Sequence, residues 1–83
     1  MTNDPLPHLE TFSNAAELSS FTAAARKLGL TQAAVSQRIQ ALERDLGTPL
    51  FGRRGGRVLL TEAGRLLHAY AERIHALHQE VRE

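Results

Sequence analysis

The sequence predicts a mainly α fold, a winged helix-turn-helix built from three helices and a two-stranded β-hairpin wing, followed by a long C-terminal helix. Three observations predict it. Two apolar stripes at helical spacing, Phe21-Ala24-Ala25-Leu28 and Val35-Ile39-Leu42-Leu46, lie on either side of Gly29. Between Leu50 and Leu60, two short β-prone runs flank a Gly-Gly pair and three arginines. From Ala63 to Val81, apolar residues recur at spacings of four and three.

The first helix is expected over residues 5–18, with Asp4 as its N-cap and Pro5 at its first position, where the missing N–H costs nothing. Leu9, Phe12 and Ala16 form its apolar stripe. Ser20 can cap the second helix, and Gly29 stops it because glycine accepts the left-handed conformation that ends helices. Thr31 caps the third helix only two residues later, Gly47 ends it, and Pro49 forbids its continuation. Two short helices joined by a tight, glycine-containing turn have helix-turn-helix geometry. Ala25 is small where the helices cross, and Leu30 and Val35 fill the angle between them. Leu50-Phe51 and Val58-Leu59-Leu60 are the expected strands, with Gly55-Gly56 at the turn. Thr61 then caps the last helix.

Composition narrows the function classes. The 83 residues make at most one domain, with residues 1–61 as the winged helix-turn-helix and 62–83 as a linker or dimerisation helix of the same unit. There is no cysteine and no tryptophan, and aromatics are 5%, so the core is expected to be mainly Leu, Ala, Val and Ile. No apolar run could span a bilayer, and the N-terminus lacks a signal-peptide layout, so a cytoplasmic protein is expected. Net charge is +1, but it is unevenly placed. Residues 19–61 hold seven basic against two acidic side chains, a local +5, and the remainder holds three against seven, a local −4. A basic centre between acidic ends suits a polyanion-binding face.

The third helix carries an unusual outer face. At roughly 100° per residue, Ala33, Ser36, Gln37, Gln40 and Arg44 point away from Val35, Ile39 and Leu42. A purely solvated face is usually rich in Glu and Lys. Small and amide side chains at a helix N-terminus suit contact with base edges, since glutamine can pair bidentately with adenine and small residues permit close approach.

At these residues the sequence resembles the N-terminal DNA-binding domain of the LysR-type transcriptional regulators. The matching runs are Ser20-Phe21-Thr22-Ala23-Ala24-Ala25, Leu28, and Thr31-Gln32-Ala33-Ala34-Val35-Ser36-Gln37-Arg38-Ile39. Ala41-Leu42-Glu43, Leu46-Gly47, Pro49-Leu50-Phe51, Arg53 and Leu60-Thr61-Glu62-Ala63-Gly64 continue the match, which covers about residues 6–83. The resemblance implies a transcription regulator that binds double-stranded DNA at an inverted-repeat-like site, as a homodimer through its linker helix. It also implies a small-molecule effector domain, expected in a missing C-terminal part. Carried over by position, base reading falls on Gln32, Ala33, Ser36 and Gln37. Departures from the family pattern are Ala33 where proline is common, Gln37 where arginine is frequent, Arg38 where glutamine is frequent, and the apolar Leu59.

The remaining expected DNA contacts are to the backbone or minor groove. Arg53, Arg54 and Arg57 flank a tight turn, and the resemblance sets this wing beside the minor groove, where arginine forks are drawn electrostatically. Ser20, Thr22 and Thr31 lie at helix N-termini, where hydroxyls and free N–H groups can hold phosphate oxygens. Arg38 and Gln40 complete the expected set. The competing role for the hydroxyls is N-capping, and for Arg53 a salt bridge to Glu43 or Glu62.

Ala63, Leu67, Tyr70, Ile74, Leu77 and Val81 read as the a and d positions of a dimerisation seam, with Leu66 off the seam helping to cover the core. The helix reaches Glu83 without a stop signal, which reads as a cut through a longer helix. His68, His75 and His78 lie along one flank with no obvious carboxylate or thiol to complete a metal site, so exposed histidines, no metal and no cofactor are expected. No acid–base pair, nucleophile constellation or phosphate loop points to an enzyme. The competing class is a protein-interaction module, in which the coiled coil alone is the function.

Overall fold

Residues 6–55 and 57–82 are described by the computed structural model. The chain runs α1 (Leu6–Leu18), α2 (Phe21–Leu28), α3 (Gln32–Leu46), β1 (Phe51–Arg54), β2 (Arg57–Leu60) and α4 (Glu62–Arg82). The architecture is the expected winged helix-turn-helix with a long final helix. The expected Asp4 cap lies outside the described residues.

Local chemistry sets the boundaries. Ser20 and Thr31 have extended backbones, and their side-chain oxygens accept the N–H groups of Ala23 and Ala34, each at 3.0 Å. Gly29 and Gly47 both close their helices at φ 70°, a left-handed conformation that glycine adopts without a Cβ clash. Ser19 performs the same turn at the end of α1 with φ 50°. Thr61 caps α4, its Oγ1 accepting the Gly64 N–H at 3.0 Å while donating to the Pro49 carbonyl at 2.7 Å.

The core gathers Phe12 and Ala15 of α1, Ala24 and Ala25 of α2, Val35, Ile39 and Leu42 of α3, and Leu50. The residues that α2 buries, Ala24 and Ala25, are both small. The expected aliphatic core also holds an aromatic chain. The Phe51 ring stands 5.3 Å from that of Phe12 and 5.2 Å from that of Phe21, both in the tilted or edge-on arrangements that ring quadrupoles favour. Leu46, expected in the core, is 52% exposed. Arg44, Asp45, Leu46 and Gly47 are all exposed, so the last turn of α3 projects past its packing partners.

The hairpin pairs Phe51 with Leu60, Gly52 with Leu59, Arg53 with Val58 and Arg54 with Arg57. Directly paired residues share a face of the ribbon. Phe51, Arg53, Val58 and Leu60 therefore form the side toward the body, and Gly52, Arg54, Arg57 and Leu59 the outer side. Glu43 holds the wing's first strand to α3, its Oε2 accepting the Leu50 N–H at 2.7 Å and the Phe51 N–H at 3.4 Å.

The first half of α4 packs on α1 and β2. Gly64 is buried there because the Leu50 carbonyl oxygen occupies the space a Cβ would need. Ala63, Leu67 and Ala71 turn inward, whereas Leu66, expected over the core, is exposed. The reason is angular. Positions 63, 67 and 71 recur every fourth residue along the side facing α1, and position 66 falls off that side.

Candidate nucleic-acid interface

The tight turn through Gly29, Leu30 and Thr31 presents the N-terminal half of α3 at the surface. Gln32, Ala33, Gln37 and Gln40 are exposed there, and Ser36 is half-buried. Ser36 and Gln40 line a shallow groove with Phe21 of α2 and Arg53 and Val58 of the wing. The fold therefore brings Ser36, Gln40 and Arg53 together, while Gln32, Ala33 and Gln37 are not part of that groove. Arg54 and Arg57 do not share it, since the ribbon register sets them opposite each other on its outer side. Arg53 makes no salt bridge to Glu43 or Glu62 among the described residues, and the Glu43 carboxylate is committed to backbone N–H groups.

The three hydroxyls differ in how they are used. Ser20 and Thr31 accept backbone N–H groups as caps, and among the described residues neither donates its own O–H. The Thr22 hydroxyl donates to Gln32 Oε1 at 3.2 Å, joining the start of α2 to the start of α3. Residues ten apart do not show such a contact in sequence, because only the turn geometry brings them together. Arg38 is half-buried and turned toward α1, where Nη1 donates to the buried Thr11 hydroxyl at 3.1 Å. Thr11 Oγ1 in turn donates to the Pro7 carbonyl at 2.9 Å. Arg38 thus stands apart from the exposed face of Gln37 and Gln40.

On α4, the expected seam divides. Ala63 and Leu67 are half-buried against their own core, whereas Tyr70, Ile74, Leu77 and Val81 are between 43% and 77% exposed. With Leu66, these four make an apolar stripe along the free part of the helix. The histidines divide as well. His75 and His78 are exposed, with His75 Nε2 3.2 Å from Gln79 Nε2. His68 is not exposed as expected. It is half-buried with its ring edge against Phe12, because α4 packs on α1 at this point. Among the described residues His68 Nε2 has no hydrogen-bond partner, and it lies 3.5 Å from Glu72 and 3.9 Å from Glu17. The three could supply ligand atoms to a cation, all within 4.8 Å of one another, so carboxylates do stand beside one of these histidines. Glu72 was legible as its i+4 neighbour, but Glu17 arrives only through the fold. Among the described residues no helix is long and apolar enough to cross a membrane.

Residues 6–65 match the model of the bacterial regulatory helix-turn-helix proteins of the lysR family. The chain is 46% identical over 77 residues to the uncharacterized HTH-type transcriptional regulator YwqM of Bacillus subtilis (strain 168), covering 93% of this chain and 26% of that protein. It is 45% identical over 69 residues to the HTH-type transcriptional regulator PtxR of Pseudomonas aeruginosa, covering 83% of this chain and 22% of that protein. The chain thus spans about a quarter of the length of each. Among solved structures, it resembles the BenM DBD in complex with catB site 1 DNA, at a TM-score of 0.87 and 36% identity over 92% of this chain and 84% of that one. It also resembles the CbnR DBD–DNA complex, at a TM-score of 0.84 and 34% identity over 92% of this chain and 87% of that one.

Proposed function

Because the chain belongs to the LysR family of bacterial regulatory helix-turn-helix proteins, we propose that it binds double-stranded DNA sequence-specifically for a cytoplasmic transcriptional regulator. The observation that carries this reading is the groove in which Ser36 and Gln40 of the lysine-free α3 meet Arg53 of the wing. The solved DNA complexes of similar domains support it.

In this reading α3 enters the major groove, where every base pair presents a distinct pattern of donors, acceptors and methyl groups. Gln32, Ala33, Ser36 and Gln37 meet base edges, with Ala33 small enough for apolar contact with a thymine methyl. Ser20 and Thr31, at the N-termini of α2 and α3, lie against phosphates. Gln40 and the wing arginines contact the backbone or the minor groove. Arg38 braces α3 against α1 through Thr11 and has further N–H groups free for the backbone. The base contacts specify and the others position.

Residues 1–61 form the reader, and residues 62–83 join two readers. The exposed stripe from Leu66 to Val81 is longer than its own core can cover, and a second copy would bury it. A two-fold dimer presents two α3 helices to an inverted repeat with half-sites about one helical turn, or a small multiple, apart. Joining them raises affinity through effective concentration by about 10²–10⁴-fold when the geometry fits. Effector sensing then belongs to other parts of the whole regulator.

The test is selection of bound duplexes from a random library, followed by titration of the recovered site and a scrambled one at low and moderate salt. An enriched inverted repeat that binds well above the scrambled duplex is expected. Uniform binding to both, or none, would favour the alternative of a protein-interaction module.

A further inference from the structure

The hydroxyls of Ser20, Thr22 and Thr31 all sit where α2 and α3 begin, yet they have different capacities toward DNA. A threonine or serine hydroxyl has one proton to donate, and phosphate oxygens only accept. Ser20 and Thr31 use their oxygens to accept backbone N–H groups, which leaves that proton available for a phosphate. Thr22 has committed its proton to Gln32 Oε1. Among the described residues this is the side-chain hydrogen bond that joins α2 to α3.

We propose that Thr22 is not a phosphate contact but a positioning residue, which holds the Gln32 side chain in one orientation and thereby sets the base it prefers. This rests on the reading of Gln32 as a base contact. Gln32 is the first residue of α3 and is exposed. Its side chain has several rotatable bonds, and a free one would lose their entropy on meeting a base. Thr22 is β-branched and stiff at χ1, so its hydroxyl is a well-defined anchor. With Oε1 held by Thr22, one acceptor lone pair is spent and both Nε2 protons are directed elsewhere. The amide then offers chiefly donors. Donors match the paired acceptors of a guanine edge, N7 and O6, or thymine O4, whereas adenine requires the amide to accept as well as donate.

The experiment compares the chain with Thr22→Val, Thr22→Ser, Gln32→Ala and the Thr22→Val/Gln32→Ala double variant. Each is put through duplex selection and then titrated on duplexes altered at single base pairs. Thr22 is exposed and valine keeps its branched shape, so the fold is retained. Gln32→Ala identifies the base pair that Gln32 reads. Thr22→Val should lower discrimination at that same pair by about 3–10-fold, the net worth of one neutral hydrogen bond, with greater tolerance of adenine. The salt dependence of binding should not change. Thr22→Ser should restore discrimination, and Thr22→Val should add nothing in the Gln32→Ala background. If Thr22→Val weakens all duplexes equally and flattens the salt slope by about one unit, Thr22 is a phosphate contact and the proposal is overturned. Unchanged discrimination in Thr22→Val, with Gln32→Ala effective, overturns it too while sparing Gln32 as a base reader. Should Gln32→Ala leave base preference unaltered, the base-reading role of Gln32 falls, and the positioning role with it.

Discussion

Replacing Gly64 by alanine sets two effects of opposite sign against each other. Position 64 lies in the first turns of α4, and intrinsic helix propensity favours alanine there by about 1 kcal/mol. The new Cβ, however, would run into the Leu50 carbonyl oxygen and come within 2.9 Å of Leu60 Cδ2. The leucine methyl can turn aside, but the carbonyl is main chain and is held from both sides. Leu50 O accepts the Thr61 N–H at 3.0 Å, and the Leu50 N–H is bound to Glu43 at 2.7 Å. Overpacking costs typically 1–3 kcal/mol and sometimes more, and a fixed neighbour places this site at the upper end. Net destabilisation of about 2 kcal/mol is expected, or roughly 8–16 °C in melting temperature for a domain of this size. Thermal unfolding should be followed by circular dichroism at one protein concentration, since association would shift the midpoint. Ala69→Gly, at an exposed site in the same helix, provides the propensity term alone and should cost about 1 kcal/mol. A Gly64→Ala variant that melts at or above the parent would refute the close approach of α4 to Leu50.

Other substitutions probe separate links. Glu43→Gln removes the charge from the acceptor of the Leu50 and Phe51 N–H groups and should destabilise by about 1–2 kcal/mol in urea titration, with Glu43→Ala worse. Ser19→Gly should stabilise by several tenths of a kcal/mol to about 1 kcal/mol, because a non-glycine residue holds φ 50° there; a lower urea midpoint would contradict this. Ile74→Asp with Leu77→Asp should sediment as a folded monomer and bind a full inverted repeat little better than a half-site; persistent dimers would place the contact elsewhere. Arg53, Arg54 and Arg57 changed together to alanine should reduce the slope of log affinity against log salt by about two to three units, and an unchanged slope would remove the wing from the DNA.

What could be read in the sequence follows the range of the forces involved. The caps at Ser20, Thr31 and Thr61 and the stops at Gly29 and Gly47 depend on neighbours within a few residues and are where the pattern puts them, and the two strands pair as a hairpin, though Gly56 of its expected turn lies outside the described residues. The family, too, was legible, because the helix-turn-helix residues are dense and contiguous. Exposure at element ends was not. Leu46 continues the stripe of α3, but periodicity says nothing about where the packing partner stops. Leu66 is exposed and Ala71, for which the pattern gave no role, is buried for a similar reason, since the face of α4 that meets α1 is set by a crossing geometry between distant segments. Arg38 and Glu43 bond to other elements, and His68 comes to lie beside Phe12 and Glu17 of α1, at separations that no local pattern encodes. The exposed face of α3 was legible in outline. The link from Thr22 to Gln32 needed the angle of the turn.

The junction around Leu50 has a consequence for distance measurement on DNA. From α3, Glu43 grips the N–H groups of Leu50 and Phe51. Thr61 bonds the carbonyls of Pro49 and Leu50, and Gly64 rests on the latter. These contacts couple α3 to α4 through one short piece of main chain. α1 also holds the first half of α4 as far as the buried Ala71, and the exposed residues 72–82 beyond it form a lever about 16 Å long. A pivot of roughly 10° at the base of that segment would move the far end by about 3 Å, close to one base-pair step at 3.4 Å. In the proposed dimer joined along α4, the stiffness of this anchorage on Leu50 and α1 would set how sharply the spacing between half-sites is discriminated.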